Sequence, residues 1–141
     1  MSLFRKIVSA KHAENEVYIH RIAYARGFAP RIRKINKGTT EWEIVMDDLG
    51  SQNTLADLYG TDCEDTPDWI WDEIREMVRV LYEDDEIEYV DVTPYNFLEV
   101  DDRIWMIDFG DARFAKTDVE LDWYLQEFLY GENNIWNSDF H

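Results

Sequence analysis

The sequence predicts one α+β domain, in which a small antiparallel sheet and its helix precede a mostly helical region that carries a β-hairpin. Three patterns predict this. Short β-like runs at residues 3–8, 32–35 and 42–46 are interrupted by a helical apolar pattern at 13–26. Ile70, Ile74, Met77, Val78 and Leu81 form a second, cleaner stripe at helical spacing. Two apolar runs, 97–100 and 104–107, flank the turn-like Asp101-Asp102-Arg103 and read as a hairpin. With 141 residues and 45% hydrophobic side chains, the chain is long enough to bury a core as one domain.

The first strand, 3–8, reads Leu-Phe-Arg-Lys-Ile-Val, and Ser9 or His12 opens the next element. In the helix at 13–26, Tyr18, Ile19, Ile22, Ala23 and Ala25 cover a broad apolar arc, with Glu16 at its edge, where a carboxylate needs a cation. Gly27 ends this helix and Pro30 prevents its resumption. Gly38 marks a turn, and Asp47-Asp48-Leu49-Gly50 breaks the strand at 42–46. Thr54, with Asp57 reaching back, caps a short helix through Tyr59. An acidic loop at 61–66 leads to Thr66-Pro67, with Pro67 as the first residue of the long helix. Residues 83–86 read as a solvated acidic turn, and 111–116 as loop. Thr117-Asp118-Val119-Glu120 is a capping-box signature for a last helix that carries Leu121, Tyr124, Leu125, Phe128 and Leu129. Gly131 ends it, and in the tail at 131–141 Trp136 and Phe140 are the residues able to dock.

The chemistry concentrates at 88–111. Asp91 and Asn96 stand on a loop, Asp108 follows the second hairpin strand directly, and Gly110 frees the backbone to turn. A hairpin in this position brings an acid, an amide and a second acid to one end of a sheet. Phosphoryl transfer asks for metal-held phosphates and a positioned hydroxyl. Mg²⁺ takes hard oxygen ligands and keeps much of its water, so one carboxylate and one amide oxygen suffice. A further carboxylate orients the attacking hydroxyl. Asp108, Asn96 and Asp91 fit those roles in that order.

Asp91-Val92-Thr93-Pro94-Tyr95-Asn96 resembles the kinase catalytic loop, and Ile107-Asp108-Phe109-Gly110 resembles the metal-binding Asp-Phe-Gly motif. The Thr-Pro inside the loop is most similar to atypical small kinases: the RIO kinases, the small kinase of the KEOPS complex, and the aminoglycoside and lipopolysaccharide kinases. This resemblance implies a truncated kinase-like fold: a reduced small lobe over 1–46, a hinge at 47–50, a reduced large lobe over 51–130 and a tail. It implies that Glu16 is the glutamate of the αC helix, with Glu14 as a weaker rival. Its partner is then Lys6 on the preceding strand, or Lys11, and the lysine holds the α- and β-phosphates of ATP. Met46-Asp47-Asp48-Leu49-Gly50 resembles the kinase hinge, with Met46 at the gatekeeper place and the backbone of Asp47 and Leu49 facing adenine. The sequence departs from the family in three places. Tyr89-Val90 stand where relatives carry a histidine or glycine before the aspartate, no Gly-rich loop precedes Lys6, and no Ala-Pro-Glu segment follows Gly110.

A net charge of −17 makes nucleic acid an unfavoured partner. The one basic concentration, Arg26, Arg31, Arg33, Lys34 and Lys37, reads either as a solvated turn or as a phosphate contact. Cys63 is the sole cysteine, which excludes an intramolecular disulfide and zinc held by cysteines. His12, His20 and His141 show no metal-ligand spacing. The sequence shows neither a signal peptide nor an apolar run of membrane-spanning length, and the expected location is cytoplasmic. Three functions stay open. One is a minimal ATP- and Mg²⁺-dependent phosphotransferase acting on a small-molecule or protein hydroxyl. The second is a pseudokinase or partner-binding module, including one completed by a protein partner or a second copy. The third is an acidic mimic competing for a basic surface.

Overall fold

A computed structural model describes residues 2–140, so His141 and Met1 lie outside the described residues. The predicted α+β, kinase-like architecture is present. Strands β1 (Leu3–Ser9), β2 (Ile32–Lys37) and β3 (Glu41–Asp47) form an antiparallel sheet in the order β1-β3-β2. Phe4 lies opposite Met46, Lys6 opposite Ile44 and Val8 opposite Trp42. Directly opposed residues share a face, so these six side chains project to the same side of the sheet. Helix α1 (Ala10–Ala25) covers that side, and its Val17 packs with Ile44 and Met46.

Helix α1 begins three residues earlier than the apolar pattern suggests, because Ser9 caps it by accepting the N–H of Lys11. Its buried face also differs from the expected arc. Ala13, Glu16, Val17, Ile19, His20 and Ala23 are buried, whereas Tyr18 is 61% exposed and Ala25 is exposed. Two polar side chains occupy the inner stripe, and a count of apolar residues alone rotates the helix away from them. Gly27, at φ +83°, closes the helix in the left-handed region, where a side chain is strained. The chain then crosses to the larger core, where Met106 N–H donates to the carbonyl of Phe28 at 2.8 Å.

That core is built on α3 (Asp68–Asp85), which buries all five residues of the predicted stripe together with Trp71 and Arg75. Pro67 precedes the helix as its N-cap, and the helix runs on through the expected acidic turn until Glu86 terminates it at φ 57°. The short helix α2 (Leu55–Tyr59) has the predicted capping box of Thr54 and Asp57. The hairpin is β5 (Phe97–Val100) with β6 (Arg103–Met106). Its turn is Asp101-Asp102, both at positive φ, as a two-residue hairpin turn of type I′ requires. A second two-stranded ribbon, β4 (Ile87–Glu88) with β7 (Arg113–Phe114), replaces the loop expected at 111–116.

Helix α4 (Trp123–Leu129) starts later than the signature at 117–120 suggests, because Asp122 caps it by accepting the N–H of Leu125 at 3.2 Å. Leu121 therefore precedes the helix but still packs against the core, while Tyr124, Leu125, Phe128 and Leu129 are buried. In the tail Trp136 docks, 4.1 Å ring to ring from Trp71, whereas Phe140 stays 37% exposed. Ile19 and Ala23 of α1 and the following Ala29 belong to this same core, so α1 joins the two halves of the chain. Among the described residues no helix is long and apolar enough to cross a membrane.

Candidate active site

Strand alternation decides between the two candidate lysines. Lys6 faces α1, where its Nζ lies 2.5 Å from Glu16 Oε2 and 3.2 Å from Asp108 Oδ1. Lys11 and Glu14 are exposed on the helix surface. Glu16 is buried, with only 7% of its side chain exposed, so its charge depends on Lys6. Burial acts against the Lys6 ammonium, but the carboxylates of Asp108 and Glu16 outweigh it and raise its pKa.

The loop from Asp91 to Asn96 is tied down by its own backbone and by α2. Thr93 N–H donates to the carbonyl of Asp91 at 3.0 Å, and Ala56 N–H to that of Pro94 at 3.0 Å. Asn96 is buried and its Nδ2 donates to the Asp91 carbonyl at 2.8 Å, which leaves Oδ1 as its free atom. Asp91 Oδ1 is buried without a hydrogen-bond partner among the described residues. Burial raises the Asp91 pKa to about 6. An interaction of the Asn96 side chain with the Asp91 carboxylate opposes this, and the nearby charges of Asp111 and Asp108 add to it.

Asp108 leaves β6 and turns at Gly110, whose N–H donates to Asp108 Oδ1 at 2.9 Å. A Cβ at Gly110 would sit 3.2 Å from Asp108 Oδ1 and 3.4 Å from Glu16 Oε1, so glycine keeps this crossing open. Two residues outside the expected set hold the turn from behind. Tyr89, which departs from the expected histidine or glycine, donates from its hydroxyl to the Asp108 carbonyl at 2.6 Å and packs edge-on against Phe109. His20 packs against Phe109 at 4.9 Å and makes a 2.8 Å hydrogen bond from Nε2 to the Pro30 carbonyl. A carbonyl accepts only, so the ring is held as a donor at Nε2. Burial lowers its pKa to about 4, which keeps it neutral. Tyr89 is a bulky residue two before an acid, and only that position signals its role.

A cleft of about 200 Å³ opens between the three-stranded sheet and the hairpin. Lys6, Met46, Asp47, Leu49, Asn96 and Asp108 line it, and Phe4, Pro30, Leu98 and Ile107 make much of the remaining wall apolar. Glu16 and Asp91 stand behind this surface, joined to it through Lys6 and Asn96. At the expected hinge, Asp47 N–H is committed to the Arg31 carbonyl at 2.9 Å and its carboxylate to Arg33 at 2.6 Å. Leu49 N–H has no protein acceptor among the described residues. The basic group of the sequence takes no part in the cleft: Arg26 pairs with Asp85 and Arg33 with Asp47.

The sequence model of the RIO domain matches residues 3–122. The chain belongs to the RIO domain family. Among solved structures, this RIO domain resembles the kinase PK-1 of Cydia pomonella granulovirus, with 19% identity and a TM-score of 0.64. The likeness covers 79% of this chain and 43% of the viral one, so the chain spans less than half the length of the kinase it resembles. A comparison with curated proteins gives no match. The fold is kinase-like, and the cleft lies between its two halves.

The donor set of this RIO domain suits a hard divalent cation. Asn96 Oδ1 and Asp108 Oδ2 have no protein partner among the described residues, and both residues line the cleft. One amide oxygen and one carboxylate oxygen match what Mg²⁺ takes from protein when waters and phosphates complete its shell. Among the described residues no group of three or more histidine, cysteine, aspartate or glutamate side chains forms a self-contained metal cage.

Proposed function

We propose that this RIO domain binds ATP with Mg²⁺ and transfers the γ-phosphoryl group to a hydroxyl of a small molecule or a protein. The observation that carries this reading is the meeting of Lys6, Glu16 and Asp108. The Lys6 ammonium lies within 3.2 Å of both carboxylates, although Asp108 is 102 residues away in sequence. Nothing in the packing of an apolar core asks for such a group at a cleft wall, whereas phosphate binding does.

In this reading Glu16 holds Lys6 so that its Nζ points at the α- and β-phosphates. Asn96 Oδ1 and Asp108 Oδ2 hold the metal, which when bound neutralises charge on the transferring phosphate. The Asp47 carbonyl and the Leu49 N–H meet the adenine edge, and Met46, 2% exposed, closes the cleft behind it. The partly buried carboxylate of Asp91 accepts the hydrogen of the acceptor hydroxyl and aims the oxygen in line with the phosphorus.

The test is transfer of label from γ-labelled ATP to the chain itself, to water and to a panel of hydroxyl compounds, with Asp91→Asn and Asp108→Asn beside the unaltered protein. Each substitution is expected to lower transfer by about a hundredfold or more. The rate of the unaltered protein is expected to fall about tenfold from pH 7 to pH 5, because a carboxylate with a pKa of about 6 is mostly protonated at the lower pH. Binding of nucleotide with no transfer to any acceptor would reduce the site to a nucleotide-binding module.

A further inference from the structure

The tail beyond Gly131 lies outside the residues matched to the family, yet it reaches the catalytic loop. Trp136, 3% exposed, is seated on Trp71, and its N–H donates to Cys63 Sγ at 3.4 Å. This seat delivers the next residue, Asn137, to the back of the loop, where it is 3% exposed. Asn137 Nδ2 donates to the Val90 carbonyl at 2.8 Å, and its backbone N–H donates to the Val92 carbonyl at 2.9 Å. Its Oδ1 accepts the N–H of Asp139 at 3.2 Å, which orients the amide with its nitrogen toward Val90.

Val90 and Val92 flank Asp91. Three successive carbonyls are therefore held by two asparagines: Val90 and Val92 by Asn137, and Asp91 between them by Asn96. The loop itself supplies only tight local bonds here, from Val92 N–H to the Val90 carbonyl at 2.9 Å and from Thr93 N–H to the Asp91 carbonyl at 3.0 Å. Two overlapping γ-turns fix little beyond their own rings. External donors are what anchor them to the core.

We propose that Asn137 is a positioning residue: from the tail it fixes the peptides on both sides of Asp91 and so sets where that carboxylate meets the acceptor hydroxyl. This rests on the reading of Asp91 given under Proposed function. The contact is made by one buried residue, whose side-chain amide donates to the Val90 carbonyl before the acid and whose backbone N–H donates to the Val92 carbonyl after it. A tail docked only for stability needs the Trp136 seat and nothing at Val90 or Val92.

The experiment compares Asn137→Ala and the isosteric Asn137→Asp, which removes the donor to Val90, with Asn134→Ala. Asn134 Oδ1 accepts from Arg75 at 2.5 Å, so its loss loosens the same tail without touching the loop. Two readouts are taken: amide hydrogen exchange at Val92 and Thr93, and steady-state transfer at a temperature well below unfolding. Exchange at both amides is expected to rise about tenfold in the Asn137 variants and to stay unchanged in Asn134→Ala. The kcat is expected to fall by about tenfold or more, with the KM for ATP within about twofold, as for a misplaced acid beside an intact nucleotide site. Unchanged exchange in both Asn137 variants would overturn the proposal. So would an Asn134→Ala variant that matches them in exchange and kcat, since the tail would then act only through overall stability. If the unaltered chain transfers no phosphate, the phosphotransferase reading fails, and exchange at Val92 and Thr93 still decides whether Asn137 fixes the loop.

Discussion

Replacing Lys6 by methionine keeps the aliphatic stem on β1 and removes the ammonium. Glu16, with 7% of its side chain exposed, then loses the one cation it contacts among the described residues. Breaking a fully buried ion pair from one side costs about 3–5 kcal/mol. Lys6 retains 21% side-chain exposure and Asp108 retains 41%, so the lower end applies and the expected loss is about 3 kcal/mol. For a chain of this size that is a drop of roughly 10 °C in Tm. A second substitution should rescue part of this loss. Glu16→Gln in the Lys6→Met background removes the stranded charge, and about 2 kcal/mol should return. Nucleotide binding should not return with it, because the ammonium is still absent. Urea unfolding followed by tryptophan fluorescence of the unaltered protein, both single variants and the double variant measures the cycle, and ATP titration of the same four proteins measures binding. A single-variant loss below about 1 kcal/mol, or a double variant no more stable than Lys6→Met, would refute the view that Glu16 depends on Lys6.

Two further predictions test the supports of the Asp108 turn. His20 is neutral when folded, with a pKa lowered from 6.5 to about 4, so its contribution is present above 6.5 and is lost as pH falls toward 4. Unfolding free energy measured at pH 7 and pH 5 should therefore fall by about 2 kcal/mol more in the unaltered protein than in His20→Gln. An equal pH dependence in both would show that the ring is not held neutral. Gly110→Ala places a methyl group 3.2 Å from Asp108 Oδ1 and 3.4 Å from Glu16 Oε1. It should weaken Mg-ATP binding by about tenfold while changing Tm by only a few degrees, as calorimetry and thermal melts would register.

Much of the fold is legible because its patterns are local. The α3 stripe, the Thr54–Asp57 capping box and the Asp101-Asp102 turn each declare themselves within a few residues. The chemistry at Asp91, Asn96 and Asp108 is equally local, since a single hairpin separates the amide from the second acid. What was not legible depends on distance. The choice of Lys6 over Lys11 follows from the register of β1 on β3, which orients Lys6 toward α1. The inner stripe of α1 contains Glu16 and His20, and their partners, Lys6 and the Pro30 carbonyl, lie on other elements. Strands β4 and β7 are two residues each, too short for any alternation to show. At the last helix the signature at 117–120 pointed to a start that the structure does not use. Asp122 caps it instead, because its side chain reaches the N–H of Leu125 at the start of the buried run. The contacts of Tyr89 and Asn137 are to backbone carbonyls, which leave no mark on the sequence of the segment they hold.

The most direct test of the account is calorimetric titration of ATP into the purified protein with Mg²⁺ and with a chelator, repeated on Asp108→Asn and Lys6→Met. The account predicts saturable binding that requires Mg²⁺ and that weakens by about tenfold or more in each variant. Binding that is indifferent to Mg²⁺ and to Asp108, or no heat at millimolar ATP, would contradict it.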